Sequence, residues 1–353
     1  MEISLGQRLR ELPGPLLLTG HTGFKGTWMT LLLGYLSVPV VGYSLRAEKD
    51  SLYDRASRIG AIPETFSDIR NYEALEQFID VHKPSAIIHM AAQPLVLKSY
   101  ETPRETFDVN VMGTVNVLDI AFKKSNIKEI IVVTTDKVYK NNNSGRAFIE
   151  TDPLEGKDPY SASKVGTESV VAAWQQIAKV SGGPKVASVR AGNVIGGGDF
   201  AKDRIIPDLI RGVINGRPVE IRNPKSTRPW QHVLDPLVGY LKAGEKLLDG
   251  QVFENMNFGP DSSDISVQEI VKIGKQIIPG ISSAPYLQKS SEWELEAQKL
   301  KLSSNRGQAL LNWEPKWNSH LSIEKTFNWW KRYLVDNEDA EQNCMSDIRD
   351  FLS

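Results

Sequence analysis

Residues 129–137 read EIIVVTTDK and residues 160–164 read YSASK, and these two stretches decide which fold the chain can adopt. Residues 130–133 are apolar and β-branched, and the run is too short for a helix, so it predicts a buried strand. The polar residues that follow lie where a parallel strand releases its chain into a crevice. The second stretch begins a helical pattern at the same predicted crevice.

Tyr160 and Lys164 are four residues apart and therefore share one face of the predicted helix. We expect the Lys164 ammonium to favour the Tyr160 phenolate and to lower the Tyr160 pKa from about 10 towards neutrality. Such a pair can take a proton from an alcohol while a nicotinamide takes the hydride. A surface tyrosine beside a solvated lysine has the same spacing, but the polar triplet nearby and a glycine loop upstream favour a catalytic pair.

A glycine-rich loop precedes both stretches. Residues 16–19 (LLLT) predict a first strand, residues 20–26 (GHTGFKG) form a G-x-x-G-x-x-G loop, and residues 28–33 begin a helix. Glycines at these positions permit a tight turn and let a pyrophosphate approach the amides at the helix N-terminus. Such loops also serve strand-to-helix packing alone, but the position between a strand and a helix favours dinucleotide binding.

The second predicted strand, residues 38–43, lacks the acidic residue that normally follows it and holds the adenosine ribose 2′-hydroxyl. Ser44 and Arg46 stand there, which weakens the case for NAD and leaves NADP possible. Asp68 could place a carboxylate near the adenine amino group, although a solvated loop acid is an alternative explanation.

The next predicted strand and its crevice loop cover residues 86–93 (AIIHMAAQ). Small Ala91 and Ala92 would let a cofactor ribose approach closely, whereas His89 is expected to be structural. Apolar spacings of three and four predict an amphipathic helix over residues 103–124. There we expect a buried Asn110 that bridges to neighbouring backbone.

A further helix from Pro159 to about Val180 and a strand at residues 186–190 complete the regular alternation. Five or six strands with intervening helices predict an α/β fold with a doubly wound parallel Rossmann sheet. From Ala191 the pattern changes, which predicts a smaller, mixed α/β C-terminal domain. Its glycines at residues 196–198 must pass close to a ligand or to other backbone.

Three further features of the C-terminal part carry expectations. Arg228 is a candidate clamp for a diphosphate, with pairing to surface carboxylates as the alternative. Residues 219–222 predict a short strand, and a helical stripe is expected near the C-terminus. The tryptophans expected in the core are Trp313, Trp317, Trp329 and Trp330.

Composition indicates an ordinary soluble globular enzyme of 353 residues, with 41% apolar and 24% charged side chains. A net charge of −1 provides no field that would recruit nucleic acid or an anionic membrane. The single cysteine, Cys344, excludes an internal disulfide and a cysteine-based zinc site. No stretch approaches the roughly 18 apolar residues of a membrane span and no signal peptide is evident, so we expect a cytoplasmic protein.

These motifs resemble the extended short-chain dehydrogenase/reductase superfamily and, within it, the CDP-glucose 4,6-dehydratase family. The motifs that carry the resemblance are residues 19–26 (TGHTGFKG), 89–96 (HMAAQPLV), 135–137 (TDK), 160–164 (YSASK), 190–199 (RAGNVIGGGD) and 227–236 (TRPWQHVLDP). Three residues restrict the resemblance from the superfamily to the CDP-glucose 4,6-dehydratase family. They are His21 and Lys25 in the glycine loop, and Lys137, where related dehydratases carry glutamate. Phe200 in place of Trp and Ser303 in place of Asp depart mildly from the pattern.

The resemblance implies conversion of CDP-glucose to CDP-4-keto-6-deoxyglucose and water, with transient oxidation at C4 by NAD and hydride return to C6. In that reaction Tyr160, helped by Lys164 and Thr135, takes the C4 hydroxyl proton. Lys137 removes the C5 proton, and Asp136 protonates the departing C6 hydroxyl. A Lys137 that only stabilises the enolate electrostatically is an alternative.

The resemblance also implies binding residues, domains and partners. Implied cofactor-binding residues are Gly20, Thr22, Gly23, Phe24, Lys25, Gly26, Arg46, Asp68, Ile69, Ala91, Ala92, Gln93, Thr134, Tyr160 and Lys164, and implied substrate-binding residues are Asn193, Arg204, Arg222 and Arg228. We expect an NAD-binding domain over residues 1–190 and 231–261, and a nucleotide-sugar-binding domain over residues 191–230 and 262–353. A homodimer without a metal, nucleic-acid or membrane partner is expected.

The main alternative is an NAD(P)-dependent nucleotide-sugar epimerase or reductase, or a dehydratase that prefers a different nucleobase. An epimerase or reductase needs the Tyr/Lys pair but no acid for C6, so Asp136 argues against it. A protein that only binds a dinucleotide is the alternative from another class, and the complete set of Thr135, Tyr160 and Lys164 argues against it.

Overall fold

A seven-stranded parallel sheet lies at the centre of the structure. The computed structural model describes residues 5–142, 144–221, 223–260, 264–285 and 300–353. Its strands are β1 (Leu16–Thr19), β2 (Val40–Ser44), β3 (Glu64–Phe66), β4 (Ala86–His89), β5 (Glu129–Thr135), β6 (Lys185–Ala191), β7 (Val194–Ile195), β8 (Val219–Ile221), β9 (Thr227–Arg228), β10 (Gln231–His232), β11 (Asn255–Phe258), β12 (Ile265–Ser266) and β13 (Ser283–Pro285). The central sheet has the order β11-β6-β5-β4-β1-β2-β3, which confirms the predicted doubly wound parallel Rossmann sheet.

Helices cover both faces of this sheet and form most of the C-terminal part. They are α1 (Gln7–Arg10), α2 (Phe24–Tyr35), α3 (Leu52–Arg55), α4 (Tyr72–His82), α5 (Val96–Glu101), α6 (Pro103–Phe107), α7 (Gly113–Phe122), α8 (Pro159–Ser181), α9 (Ile205–Ile214), α10 (Leu234–Leu248), α11 (Val267–Ile277), α12 (Asn305–Leu311), α13 (Ser319–Leu334) and α14 (Ala340–Leu352). Within the described residues, no helix combines the length and apolar character that a membrane crossing requires.

Strand β5 separates two hydrophobic cores. Every residue of β5 is buried, and successive side chains point to opposite faces of the sheet. Ile131 and Val133 therefore pack in one core, whereas Ile130 and Val132 pack in the other. This arrangement explains the unbroken β-branched run, because a strand covered on both faces has no side that contacts water.

The predicted helix over residues 103–124 is a continuous helical segment with a π-helical turn, Asp108–Met112, between α6 and α7. Asn110 lies in that turn and is buried. Its side chain accepts from Gln93 N at 2.8 Å and donates to Gln93 O at 3.1 Å. The expected bridge from Asn110 to neighbouring backbone is confirmed.

His89 is buried at the end of β4, next to the point where the strand order reverses. Its Nδ1 lies 2.7 Å from the Thr19 hydroxyl and its Nε2 lies 3.1 Å from the Thr114 hydroxyl. Both ring nitrogens are thus satisfied by groups of β1 and α7. The expectation that His89 is structural is confirmed.

The glycine run at residues 196–198 packs against side chains. A Cβ on Gly197 would lie 2.0 Å from the Trp329 ring, and Gly198, with φ +77°, leaves room for Leu52. The Gly197 carbonyl also accepts from Trp28 Nε1 at 3.0 Å. The sequence offered a ligand or other backbone as the neighbour of these glycines, whereas the structure places side chains there.

The C-terminal part combines helices with three small two-stranded pairs: β7 with β10, β8 with β13, and β9 with β12. The predicted strand near residue 219 is confirmed over β8, and Arg222 lies outside the described residues. All four C-terminal tryptophans named above are buried, as predicted. Helix α14 docks on α2 and α13 through a stripe that includes Ile348 and Phe351, which confirms the expected helical stripe.

Glu129 is a buried carboxyl at the start of β5, far along the strand from the crevice. Neither of its carboxylate oxygens has a hydrogen-bond partner among the described residues. Burial raises the Glu129 pKa to about 8, and the charge of Glu245 acts in the same direction. The folded protein therefore holds this proton over a pH range in which the unfolded chain has released it.

We expect this group to make stability fall with rising pH. Its contribution is fully present below the unfolded-state pKa of about 4.3 and is lost as pH rises through about 8. Glu129→Gln should therefore unfold in denaturant with a free energy on the order of a few kcal/mol above wild type at pH 9, but close to it at pH 5. Glu73→Gln, at an exposed position, is the control, and its free energy of unfolding should vary with pH as that of wild type does. A Glu129→Gln protein whose free energy of unfolding also varies with pH as in wild type would contradict the expectation.

Candidate active site

Thr135, Asp136 and Lys137 lie together where β5 ends and a 3₁₀ turn, Asp136–Val138, begins. The Thr135 hydroxyl donates to Asp136 Oδ1 at 3.0 Å and accepts from Lys137 N at 3.3 Å. Lys137 Nζ lies 3.7 Å from Asp136 Oδ1. Asp136 is buried, whereas the Lys137 side chain is 30% exposed, so an acid and an amine meet at the crevice edge.

The first turn of α8 places Tyr160 at the same site. Asp158 caps this helix by accepting from Ser161 N at 2.9 Å, and Pro159 occupies the first helical position, where its missing N–H is not needed. Tyr160 N donates to Ser99 Oγ at 3.1 Å. The Thr135 hydroxyl is close enough to the Tyr160 phenol to lower the Tyr160 pKa. The predicted catalytic residues of β5 and α8 therefore converge.

The expected fall of the Tyr160 pKa towards neutrality is wrong for this structure. Burial raises the Tyr160 pKa to about 12. The Asp136 charge acts in the same direction, whereas the neighbouring Thr135 hydroxyl acts in the opposite direction. The Lys164 ammonium donates to Val133 O at 3.2 Å. Burial also lowers the Lys164 pKa to about 8, so desolvation outweighs the attraction that the sequence spacing suggested.

The glycine loop lies against the end of β4. Gly20 has φ +75°, and a Cβ there would lie 2.7 Å from Ala91 N, so only glycine fits. The Thr22 hydroxyl bonds to Ser44 Oγ at 2.8 Å and to Leu45 O at 3.0 Å, which fixes the loop to β2. Gly23 precedes α2. Among the described residues no side chain caps the first amides of this helix, and its first turn contains no acidic residue.

Three other predicted residues of this loop contact neighbouring parts of the fold. Phe24 packs beside Gly196, and a Cβ on Gly26 would lie 2.1 Å from Gly20 O. Lys25 Nζ donates to the buried Tyr240 hydroxyl at 2.8 Å. Burial lowers the Lys25 pKa to about 7, and the charges of Lys164 and Arg204 add to this.

The residues predicted for the adenosine end lie after β2 and β3. The Arg46 guanidinium sits 4.8 Å from the centre of the Phe66 ring. Asp68 pairs with Arg70 through bonds of 3.0 and 2.6 Å, which lower the Asp68 pKa. Ile69 is buried against Gly113. Binding of an adenosine here stays a prediction.

Two predicted cofactor contacts, Gln93 and Thr134, have side chains engaged inside the fold. Gln93 Nε2 donates to Leu95 O at 3.1 Å and to Thr106 Oγ1 at 3.0 Å. The Thr134 hydroxyl donates to Glu168 Oε1 at 2.5 Å. Ala91 and Ala92 are partly exposed beside them.

Of the predicted substrate-binding residues, Arg204 influences the pKa of Tyr160. Its guanidinium bonds to Asp199 at 2.8 Å and is 40% exposed, and its charge opposes the rise of the Tyr160 pKa. Asn193 contributes its carbonyl to Gln231 N at 3.2 Å. Arg228 donates to Thr227 O at 3.1 Å.

The sequence interpretation missed Glu168 and Arg190, which form a buried ion pair behind the site. Arg190 Nε and Nη2 each lie 2.8 Å from a Glu168 oxygen, and Arg190 Nη1 donates to Tyr139 at 2.8 Å. Glu168 follows Lys164 by four residues, and this spacing alone could have placed it on the same helix face. The sequence interpretation also did not predict that Gly192 leaves space for the Asp136 carboxylate. A Cβ at Gly192 would lie 3.0 Å from Asp136 Oδ2.

Known proteins resemble this chain over almost its whole length. The chain is 40% identical over 343 residues to the CDP-glucose 4,6-dehydratase of Salmonella typhimurium, and the match covers 95% of each protein. The solved UDP-glucose 4-epimerase of Thermotoga maritima has a TM-score of 0.78 and 21% identity, covering 91% of this chain and 99% of that one. The dTDP-glucose 4,6-dehydratase of Bacillus anthracis has a TM-score of 0.74 and 21% identity, covering 94% and 99%.

The two solved structures establish that the fold is shared, since their identity with this chain is low. The Salmonella typhimurium relative confirms the resemblance to 4,6-dehydratases that the motifs predicted. Residues 16–259 match the model of a single family, which spans the glycine loop, β5 and the first turns of α8. This chain belongs to the NAD dependent epimerase/dehydratase family.

Proposed function

We propose that this chain is an NAD-dependent CDP-glucose 4,6-dehydratase, a hydro-lyase that forms CDP-4-keto-6-deoxyglucose and water. The observation that carries the proposal is the cluster of Asp136 and Lys137 beside Thr135 and Tyr160. Oxidation and reduction at C4 need only the tyrosine and lysine, whereas loss of the C6 hydroxyl needs an acid and a base nearby. The 40% identity to the Salmonella typhimurium enzyme supports the same substrate.

The residues around the glycine loop fit NAD. The uncapped amides at the N-terminus of α2 offer donors to a pyrophosphate, and Gly20 keeps the loop close to Ala91. We assign the adenosine to the region of Arg46, Asp68 and Ile69. When bound, NAD would accept a hydride from C4 and return it to C6, and its positive ring would favour a phenolate at Tyr160.

Tyr160 accepts the proton of the C4 hydroxyl in the first step. Thr135, whose hydroxyl favours the ionised form of Tyr160, holds the sugar O4 in reach. Lys164, one helical turn after Tyr160, would stabilise the phenolate by its charge. Because burial disfavours the phenolate in the protein alone, proton transfer depends on the positive charges gathered at the site. Arg204 is one of these charges.

Asp136 and Lys137 carry out the elimination. A C4 ketone acidifies the C5 hydrogen, which Lys137, as a neutral amine, removes as a proton while a protonated Asp136 donates its proton to the C6 oxygen, which leaves as water. The proton that Tyr160 took from the C4 hydroxyl replaces the one that Asp136 has lost. Lys137 then returns a proton to C5. Electrostatic stabilisation of the enolate by a Lys137 ammonium is the alternative role for the same residue.

We further propose that residues 1–190 and 231–261 bind NAD and that residues 191–230 and 262–353 bind the nucleotide sugar. The central sheet uses strands from the first set, and the small strand pairs come mainly from the second. Asn193, Arg204, Arg222 and Arg228 are assigned to the substrate. A cytoplasmic location, and the expected lack of nucleic-acid and membrane partners, stay predictions.

We propose a homodimer formed by the helical face around α5–α8. Leu97, Tyr100, Phe107 and Met112 are between 40% and 54% exposed there. Four exposed large apolar side chains in this stretch favour burial against a second copy. Light scattering at assay concentration should give twice the chain mass, and a monomer would overturn this assignment.

The substrate assignment predicts that purified protein turns over CDP-glucose when NAD is added. We expect loss of one water by mass and a 4-keto sugar detectable in alkali, with no net NADH. The UDP, GDP and dTDP analogues serve as controls for the nucleobase. Product from one of them but not from CDP-glucose would overturn the nucleobase, and no product from any of the four would overturn the dehydratase assignment.

Asp136→Asn should separate elimination from the preceding steps. We expect water loss to fall by about 10²- to 10⁴-fold, because an amide cannot protonate the departing hydroxyl. In heavy water the recovered substrate should still gain deuterium at C5, since Lys137 remains. Mass spectrometry measures both quantities in one reaction.

Lys137→Met is the matched control for this variant, because it removes the neighbouring amine and leaves the acid. It should abolish both exchange at C5 and elimination. Exchange that survives in Lys137→Met would assign Lys137 to electrostatic stabilisation. Undiminished water loss in Asp136→Asn would instead favour an epimerase or reductase with a different acid.

A further inference from the structure

Tyr160, Lys164 and Glu168 follow one another at intervals of four along α8, and all three are buried on the face towards β5. The Lys164 ammonium donates to Val133 O at 3.2 Å. The Thr134 hydroxyl donates to Glu168 at 2.5 Å. Consecutive residues of β5, directly before Thr135, are therefore tied to consecutive turns of α8.

Four donors hold the Glu168 carboxylate. In addition to Thr134, Ser188 Oγ donates at 2.7 Å and Arg190 donates twice at 2.8 Å. Arg190 stands directly beside Thr134 in the β5–β6 register. Although burial disfavours the charge, the bonds from Arg190, Thr134 and Ser188 lower the Glu168 pKa, so Glu168 stays ionised at neutral pH.

The groups that face Lys164 come from three elements. Glu168 and Tyr160 lie on its own helix, Lys25 approaches from α2, and His89 approaches from β4. His89 is neutral, since burial lowers its pKa to about 3. Lys25 is a like charge. Burial lowers the Lys164 pKa to about 8, and the charge that opposes this fall is that of Glu168.

We propose that Glu168, held by Arg190, is a positioning residue that keeps Lys164 protonated and anchored on β5, one helical turn after Tyr160. Without the Glu168 charge, the buried Lys164 would become a neutral amine near physiological pH and could no longer favour the Tyr160 phenolate. The catalytic consequence rests on the proposed function. The effect of Glu168 on the protonation of Lys164 does not depend on the proposed function, because both side chains belong to this chain.

The test is a titration of Lys164 in full-length protein labelled with ¹³C at the lysine ε-carbon. The Lys164 resonance is identified by its loss in Lys164→Arg. In Glu168→Gln, which keeps the shape of the side chain and one acceptor oxygen but removes the charge, we expect the Lys164 midpoint to fall by about one pH unit or more. The alkaline limb of kcat for the nucleotide sugar should move down with it, while KM stays unchanged.

Glu129→Gln is the matched control, since it removes another buried carboxyl from the far end of β5. It should leave the Lys164 midpoint where it is in wild type. A folded Glu168→Gln protein with an unchanged Lys164 midpoint would overturn the proposal and leave Glu168 a purely structural role.

A second variant covers the case in which Glu168→Gln leaves Arg190 unpaired and fails to fold. Glu168→Gln/Arg190→Met removes both buried charges, which proteins often tolerate better than one unpaired charge. Of these two charges, that of Glu168 is the one that raises the Lys164 pKa, so a downward shift is again expected. The titration needs no substrate, so it still decides about Glu168 if no nucleotide sugar is turned over.

Discussion

The contact between helix α8 and strand β5 is the constraint on which the rest of the site depends. Tyr160 and Lys164 come from the helix, and Thr135, Asp136 and Lys137 come from the strand end. Neither element can place these groups alone, because their hydrogen bonds cross between the two. The ion pair of Glu168 and Arg190 stabilises that contact and connects α8 to β6.

This arrangement has an electrostatic consequence. Tyr160 and Lys164 are buried and Lys25 is partly buried, and loss of solvent disfavours the charged form of each. In such a site, both the phenolate and the ammonium need opposite charges nearby to persist. Carboxylates within the fold and the charge of a bound cofactor can shift the pKa values of these groups.

Glycines do two different jobs in this molecule. Gly20 and Gly192 leave space at the crevice, one against Ala91 and the other against the Asp136 carboxylate. Gly197 and Gly198 instead make room for Trp329 and Leu52 inside the fold. Sequence cannot separate the two kinds, because both appear as glycine in a loop and differ only in what lies opposite.

The sequence by itself determined the parallel sheet, the glycine loop before α2, the converging residues Thr135 and Tyr160, and the role of Asn110. These follow from local patterns: runs of β-branched residues, turns, caps and helical spacing. Only the tertiary structure decided the protonation of Tyr160 and the partners of Glu168. Desolvation and long-range ion pairs depend on which chain segments meet in space, and residues as distant as Thr134 and Arg190 become neighbours only when the strands pair.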